Sequence, residues 1–183
     1  MKLRIRPARK EDLPDLLSLV RRLAEFENLA PPGPDAVRRY RRHGSGAAPF
    51  FRALLALADG KPVGYAFFFF TYSTFLARPT LYLEDLFVLP ELRNRGVGAA
   101  LLRALGGIAR RKGCGRIEWT VLDWNVGARR FYRRFGARRL SRWHLYRLDG
   151  EALRRLTGDG DRRTPSPGRA RSRSSPRRGT SRG

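Results

Sequence analysis

Residues 82–105 read YLEDLFVLPELRNRGVGAALLRAL, and this stretch decides the fold of the chain. It begins as an apolar strand, breaks at Pro90, and passes through a short polar loop into an apolar helix. The glycines of the loop permit turn conformations and let the backbone approach a ligand closely. Unpaired N–H groups at the helix start, the positive end of the helix dipole, and the flanking Arg93 and Arg95 predict a site for phosphate or pyrophosphate.

The order of residues in this loop is more specific than a glycine-rich turn alone. Arg93, Gly96 and Gly98 occupy the marked positions of the pattern R/Q-x-x-G-x-G/A. The loop therefore resembles the acetyl-CoA loop of the GNAT N-acetyltransferases. A second stretch, DWN at residues 123–125 followed by ARRFYRRFGA at residues 128–137, resembles the other signature of that superfamily at the family's spacing.

Within the superfamily, the chain is most similar to the diamine (spermidine/spermine and thialysine) acetyltransferases. Four short segments carry this similarity, which covers roughly residues 3–150: IRPA at residues 5–8, LAEFE at 23–27, FFTY at 69–72 and LYLED at 81–85. The resemblance implies an α/β GNAT fold. Its central mixed, mostly antiparallel, twisted sheet of six to seven strands splays at the CoA site and is flanked by about four helices.

The residue patterns place these elements along the chain. Apolar runs predict strands at 3–6, 51–58, 63–72, 81–89 and 116–122 and a terminal strand region at 138–148. Helical spacing predicts helices opening near Asp12 and at 35–42, 98–112 and 128–135. We expect an acetyltransferase domain at residues 1–157. Residues 158–183 form an Arg/Ser/Pro/Gly-rich tail that we expect to be disordered, because residues 161–183 contain no Leu, Ile, Val or aromatic side chain.

The composition limits where the protein acts and what it binds. The longest apolar run is too short for a membrane helix, and the charged N-terminus lacks the apolar centre of a signal peptide. One cysteine fits a reducing compartment, so we expect a cytoplasmic protein without membrane partners. The net charge of +23 suggests nucleic acid, but only four of the 39 basic residues are lysine. We therefore expect the positive charge to serve solubility and the attraction of CoA phosphates, and the alternative is nucleic-acid binding through the basic tail.

Glu84 is our candidate for handling the acceptor amine. A primary amine of pKa ~10.4 is almost fully protonated at neutral pH, and deprotonating it costs about 4–5 kcal/mol. The reaction therefore needs a carboxylate that holds the ammonium and draws off its proton. Glu84 lies among apolar residues of a central strand, where an unpaired carboxylate is expensive, and it aligns with the family's substrate-contacting Glu. The alternative is an ion pair with an arginine across the sheet.

Tyr132 is our candidate for the proton donor to the departing CoA thiolate. It matches the family's Tyr at the start of the helix that faces the pantetheine. Phe131 and Phe135 supply a core face to this helix at i and i+4, so we expect Tyr132 to point elsewhere. The alternative is a tyrosine that only packs.

The resemblance also implies the remaining binding residues. The family strand offers backbone groups to the thioester and pantetheine at Leu86, Phe87 and Val88. The pyrophosphate loop and the second signature add Arg93, Asn94, Arg95, Gly96, Val97, Gly98, Ala99, Asn125 and Ala128. The acceptor contacts are Phe26, Glu27, Glu84 and Asp85, and no metal is expected.

Two departures from the family concern the acceptor. Phe26 stands where a Tyr is common, so one hydroxyl is missing. The chain is also about three residues short between Leu140 and Trp143, a loop that carries an acidic contact in polyamine enzymes; here Arg142 would repel a second ammonium.

The resulting expectation is an acetyl-CoA-dependent N-acetyltransferase for a small primary amine, such as a diamine, polyamine or thialysine-like amine. Transfer occurs by direct attack in a ternary complex, and by resemblance the enzyme is a homodimer. One alternative is N-acetylation of an amino acid, an antibiotic amine or a protein N-terminus. Another, from a different class, is a nucleic-acid-associated binding protein that uses the Arg-rich tail.

Overall fold

The computed structural model describes residues 1–158, which comprise five strands and five α-helices. The chain divides into two compact units, one ending at Tyr132 and one beginning at Arg133. The strands are β1 Leu3–Pro7, β2 Arg52–Ala58, β3 Lys61–Ser73, β4 Arg78–Val88 and β5 Arg116–Glu118. The helices are α1 Leu13–Phe26, α2 Pro34–His43, α3 Val97–Arg111, α4 Val126–Arg133 and α5 Gly150–Leu156, with short 3-10 turns at Lys10–Asp12 and Pro90–Leu92.

The first unit is built on one mixed sheet with the strand order β1-β2-β3-β4-β5. The first four strands pair antiparallel, whereas β5 pairs parallel to β4. The β4–β5 ladder runs from Thr80, opposite Arg116, to Tyr82, opposite Glu118. Beyond Tyr82, β4 continues to Val88 with no partner on its β5 side among the described residues. The splay that the resemblance implied is therefore confirmed.

A β-bulge at Glu84 changes which face of the sheet each β4 side chain occupies. Phe67 of β3 lies opposite Asp85 and Phe68 lies opposite Leu83, so Glu84 is an extra residue on β4. Side chains alternate along a regular strand, and one extra residue reverses that alternation. Asp85 consequently lies on the opposite face from Leu83.

Each face of the sheet buries an apolar cluster under a helix. Side chains of α3 at four-residue spacing, Val97, Leu101, Leu105 and Ala109, pack on one face. On the other face, α1 packs against the sheet through Leu16, Leu19 and Val20. Full burial of each large side chain contributes about 1.5–3 kcal/mol, so the two clusters fix the sheet between the helices.

Three expectations about the elements need correction. The strand expected at 116–122 ends at Glu118, because the chain leaves the ladder where β4 and β5 splay. Residues 138–148 form no strand within the described chain, so the sheet has five strands instead of six to seven. A turn closed by the Trp143 N–H and the Leu140 carbonyl interrupts that segment, and its aromatic side chains are largely exposed. Helix α5 was not expected.

No helix within residues 1–158 is both long and apolar enough to span a membrane. The tail expected to be disordered lies outside the described residues from 159 onward, and the domain boundary after residue 157 stays a prediction.

Candidate active site

The glycine loop forms an N–H-rich cradle at the start of α3. The chain leaves β4 through the Pro90–Leu92 turn, takes left-handed backbone at Asn94 (φ 60°) and Gly96 (φ 84°), and enters α3 at Val97. Gly96 caps the helix, and its carbonyl accepts the first helical bond from Ala100. The N–H groups of the first turn have no partner within a helix, so they remain free to bind an anion.

This cradle and the open β4 edge fit acetyl-CoA. The pyrophosphate matches the helix start, and the amide-bearing pantetheine arm matches the side of residues 83–88 that β5 leaves without a strand. The three backbone positions implied by the resemblance, Leu86, Phe87 and Val88, all lie on this edge.

The two glycines of the signature serve different physical needs. A Cβ on Gly96 would meet nothing within 4 Å, so its requirement is the left-handed conformation. A Cβ on Gly98 would lie 3.5 Å from Phe131 Cζ and 3.8 Å from Leu86 Cδ2. These are ordinary contacts, so packing within the chain leaves room for a methyl group at position 98, and the close backbone approach to a ligand that the sequence suggested stays a prediction.

The two arginines of the loop differ in placement. The Arg93 Nε donates a hydrogen bond to the Val88 carbonyl at 3.2 Å, and its guanidinium lies 4.5 Å from the ring centre of Phe26. It also lies 5.9 Å from the Phe87 ring. Arg95 is exposed to solvent. Arg93 thus connects the loop to the end of α1, where the expected acceptor contacts lie, while Arg95 faces solvent.

Asn125 and Ala128 interact with each other at the start of α4. The Asn125 Oδ1 accepts a hydrogen bond from the Ala128 N–H at 3.0 Å, which makes Asn125 the N-cap of the helix. The Ala128 N–H is therefore engaged in the chain itself. A helix-capping role accounts for Asn125 in this structure, and its cofactor contact stays a prediction.

Three carboxylates converge near the bulge of β4. Burial, the Glu84 charge and the Glu27 charge raise the pKa of Asp85 to about 6. Burial also raises the pKa of Glu27, which follows the last residue of α1. The Tyr65 hydroxyl donates a hydrogen bond to Asp85 Oδ2 at 3.4 Å, and this bond opposes the rise. We call Glu27, Glu84 and Asp85 the acid cluster.

The argument from burial for Glu84 was wrong. Glu84 is exposed, because the bulge places it outside the regular ladder, and Asp85 is the half-buried carboxylate. Among the described residues Glu84 also has no salt bridge with an arginine. Its role as the base stays a prediction, and the structure adds Asp85 as a second candidate for the base.

Tyr132 lies in the last turn of α4, and not at the start of the helix as expected. Its ring packs 4.7 Å from that of Trp119, centre to centre. Burial and the nearby Asp85 charge raise the pKa of Tyr132 to about 12. The hydroxyl therefore stays protonated at neutral pH. Full proton transfer to a thiolate of pKa ~8.5 is uphill, so the hydroxyl stabilises that charge chiefly as a hydrogen-bond donor.

Sequence reasoning missed four aromatic residues around this site. Tyr65 is fully buried, and its pKa is raised by burial and then by Asp85. Burial and the same carboxylate raise the pKa of Tyr40. Trp119 packs on Tyr132, and Trp124 packs on Phe26 with ring centres 5.6 Å apart. Trp124 was available as a signal, since it is the central residue of the DWN stretch.

Comparisons with known proteins agree with this geometry. The Acetyltransferase (GNAT) family model matches residues 16–137. A thialysine N-epsilon-acetyltransferase from Bos taurus is 38% identical over 161 residues, which cover 82% of this chain and 94% of that protein. An L-ornithine N5-acetyltransferase from Arabidopsis thaliana is 43% identical over 97 residues, covering 53% of this chain and 42% of that protein.

A solved structure shares the fold. AAC(6')-Iy, in complex with the bisubstrate analogue CoA-S-monomethyl-acetylneamine, aligns with a TM-score of 0.68 at 24% identity over 82% of this chain and 100% of that one.

An open strand edge beside an N–H-rich helix start, in a chain that matches acetyltransferases, is the site of an acyl-CoA-binding transferase. The chain belongs to the GNAT acetyltransferase family. It is an N-acetyltransferase with acetyl-CoA as its co-substrate, and the expected similarity to thialysine and spermidine/spermine acetyltransferases is confirmed.

Proposed function

We propose that this enzyme acetylates a small primary amine of the diamine or thialysine-like class. The observation that carries the proposal is the acid cluster beside the open edge of β4. The part-buried carboxylates Glu27 and Asp85, together with the exposed Glu84, create a negative field that attracts an ammonium group. The relatives act on thialysine and ornithine by name, and both names denote molecules with a side-chain amine.

The roles of the site residues follow from their environments. Glu27 and Glu84 hold the ammonium by charge. Asp85, with its pKa of about 6, is ionised at neutral pH yet basic enough to accept a proton, directly or through Glu84 and water. Phe26, at the same end of α1, packs against the Arg93 guanidinium and the Trp124 ring and so shapes the acceptor side of the site.

When bound, acetyl-CoA supplies the electrophilic thioester carbon and a thiolate leaving group. The chain's residues then act on the amine and on the departing sulfur. The carboxylates take the ammonium proton, and the free amine attacks the thioester carbon directly in a ternary complex. As the C–S bond breaks, the nitrogen loses its second proton, which neutralises the departing thiolate, and the Tyr132 hydroxyl donates a hydrogen bond to that sulfur.

The acceptor is expected to be short. Phe26 lacks the hydroxyl that a Tyr would offer to a distant amine, and Arg142 adds positive charge where polyamine enzymes carry an acidic contact. We therefore rank short diamines and amino acids with a side-chain amine above long polyamines.

The test is thiol release from acetyl-CoA with a panel of acceptors: diamines, polyamines, thialysine, ornithine, an aminoglycoside and a peptide with a free N-terminus. We expect the highest kcat/KM with short diamines or amino acids bearing a side-chain amine. Turnover confined to the peptide or the aminoglycoside would refute the proposed substrate class.

Comparing Glu84→Gln with Asp85→Asn separates the two candidate bases. If Asp85 accepts the proton, kcat/KM of the wild type falls below about pH 6, and Asp85→Asn loses about 10²–10⁴-fold. Glu84→Gln then raises KM more than it lowers kcat. The reverse pattern would assign the base to Glu84.

We propose a homodimer located in the cytoplasm. Support for the dimer comes from a row of exposed apolar side chains in the second unit: Leu140, Trp143, Leu145, Tyr146 and Leu148. Exposed rows of this kind mark interaction surfaces. Sedimentation that shows only monomer at micromolar concentration would refute the dimer. Nucleic-acid binding through residues 161–183 lies outside the described residues; its test is salt-dependent RNA or DNA binding that disappears when those residues are deleted.

A further inference from the structure

We propose that the first unit carries a second ligand site, which binds an amphipathic organic anion. The site is a cavity of about 450 Å³ at the end of the sheet where β1 ends and β2 begins. Its volume lies within the range of about 300–1,000 Å³ typical of small-molecule pockets. Neither the acetyl-CoA loop nor the acid cluster lines it.

The cavity is separated from the acetyl-CoA loop by the length of α3. That loop lies at the start of the helix, whereas Ile108, Arg111 and Lys112 line the cavity at its end. Eleven residues of helix from Val97 to Ile108 span roughly 17 Å. A molecule in the cavity therefore does not occupy the pyrophosphate cradle.

The floor of the cavity is apolar. It is formed by residues of α1, β3 and α3 and by the residue just before β2: Leu13, Leu16, Phe51, Phe68, Phe70 and Ile108. Phe51 and Phe70 are only half-buried, so they retain surface that a hydrocarbon or aromatic group can cover. The floor thus accounts for the apolar part of the ligand.

The rim of the cavity is cationic. Six basic side chains form it: Arg9, Lys10, Arg41, Arg52, Arg111 and Lys112. Among the described residues that line the cavity, none is acidic. The five salt bridges within residues 1–158 involve none of these six side chains. Bringing an anion among them relieves their mutual repulsion.

Helix dipoles explain the positions of only some of the basic residues at the rim. Arg41 and Arg111 lie in the last turns of α2 and α3, where cations stabilise a helix. Arg9 and Lys10 instead lie just before α1, where the dipole disfavours positive charge, and Arg52 opens a strand. The convergence of these three residues on the same opening points to a ligand with an anionic group.

The direct test is calorimetry on the full chain saturated with acetyl-CoA, so that the co-substrate site is filled. The probes are octanoate, octyl phosphate, inorganic phosphate and 1-octanol. We expect both amphipathic anions to bind, with affinity rising up to about fourfold for each added methylene of the carboxylate series. Phosphate alone and octanol alone should bind much more weakly. Loss of octanoate binding on saturation with acetyl-CoA, or equal affinity for octanol, would overturn the proposal.

Neighbouring arginines provide matched variants. The double variant Arg41→Glu with Arg111→Glu reverses two rim charges, and we expect its affinity for octanoate to fall roughly tenfold or more. Arg42→Glu with Arg110→Glu makes the same charge change in the same helix turns outside the cavity, and should leave affinity nearly unchanged. If the first pair lowers the unfolding temperature, Arg52→Ala with Lys112→Ala replaces it, with a smaller loss expected. Equal weakening by rim and control variants, or no weakening by the rim variant, would overturn the proposal.

Discussion

Replacing Asp85 with Asn should stabilise the folded protein at neutral and alkaline pH while it impairs catalysis. The carboxylate is half-buried and lies near two other carboxylates, so the fold penalises its charged form. Asn keeps the shape and an oxygen that accepts the Tyr65 hydroxyl hydrogen bond. The substitution therefore removes mainly the charge.

The magnitude follows from the shift in pKa. The pKa of Asp85 rises from 3.8 to about 6 on folding, and each unit corresponds to 1.36 kcal/mol. The folded state binds this proton more tightly than the unfolded state does. The stability that the proton contributes is fully present below pH 3.8 and is lost as the pH rises through about 6. Above that pH the charged carboxylate costs about 3 kcal/mol, which Asp85→Asn recovers.

Urea unfolding at pH 8 and at pH 4 measures this difference. The variant should exceed the wild type by about 3 kcal/mol at pH 8, and the two should converge at pH 4. Glu84→Gln is the matched control, because it removes a neighbouring exposed charge; its gain should be smaller. A difference between Asp85→Asn and the wild type that stays constant from pH 4 to pH 8 would refute the reasoning.

Three further predictions concern the hydrogen-bond donor Tyr132, the acetyl-CoA loop and the ion pair between Arg6 and Asp12. Tyr132→Phe should lower kcat by about 10²–10³-fold, as expected for a lost hydrogen-bond donor to developing charge, with KM for the amine nearly unchanged; wild-type kcat in steady-state assays would exclude the donor role. Gly96→Ala strains a left-handed position by about 1–2 kcal/mol, so this variant should bind acetyl-CoA more weakly in calorimetry. The new methyl group of Gly98→Ala meets only ordinary contacts, so that variant should bind acetyl-CoA nearly normally. The Arg6 ion pair lowers the pKa of Asp12 to about 2, so the pair stabilises the fold above pH 3.8 and loses this effect as the pH falls through 2; Asp12→Asn should cost about 2 kcal/mol in urea unfolding at pH 7 and little at pH 2.

The acetyl-CoA loop was predictable because its requirements are local. A left-handed residue and free N–H groups at a helix start are properties of a few consecutive residues, and glycine at position 96 indicates the first directly. The positions of most strands and helices follow from apolar spacing in the same way, whereas the architecture of the sheet came from the family resemblance. The splay came from the family resemblance, since nothing in residues 116–122 indicates where pairing stops.

The sequence did not show which of Glu84 and Asp85 is buried, because their burial depends on the register of β4 against β3. Leucines at positions 81 and 83 share a face with Leu86 and Val88, and this three-residue step between Leu83 and Leu86 is the trace of the bulge. Without the bulge, regular alternation would place Asp85 on the same face of the sheet as Leu83, which is the wrong face. Tyr65 was missed for another reason: within an apolar run, a buried hydroxyl that faces a carboxylate looks the same as a core ring.

The open edge of β4 also affects the behaviour of the ligand-free protein. Along residues 83–88, β4 has no strand on its β5 side, and alternate residues direct backbone groups to that side; such an edge is a template for another chain's strand. Most proteins protect edges with charge, proline or a covering helix. Here a substrate lying along the strand would take the place of the missing neighbour. Self-association through this edge would then compete with acetyl-CoA, and the co-substrate would keep the enzyme dispersed as well as supply the acetyl group.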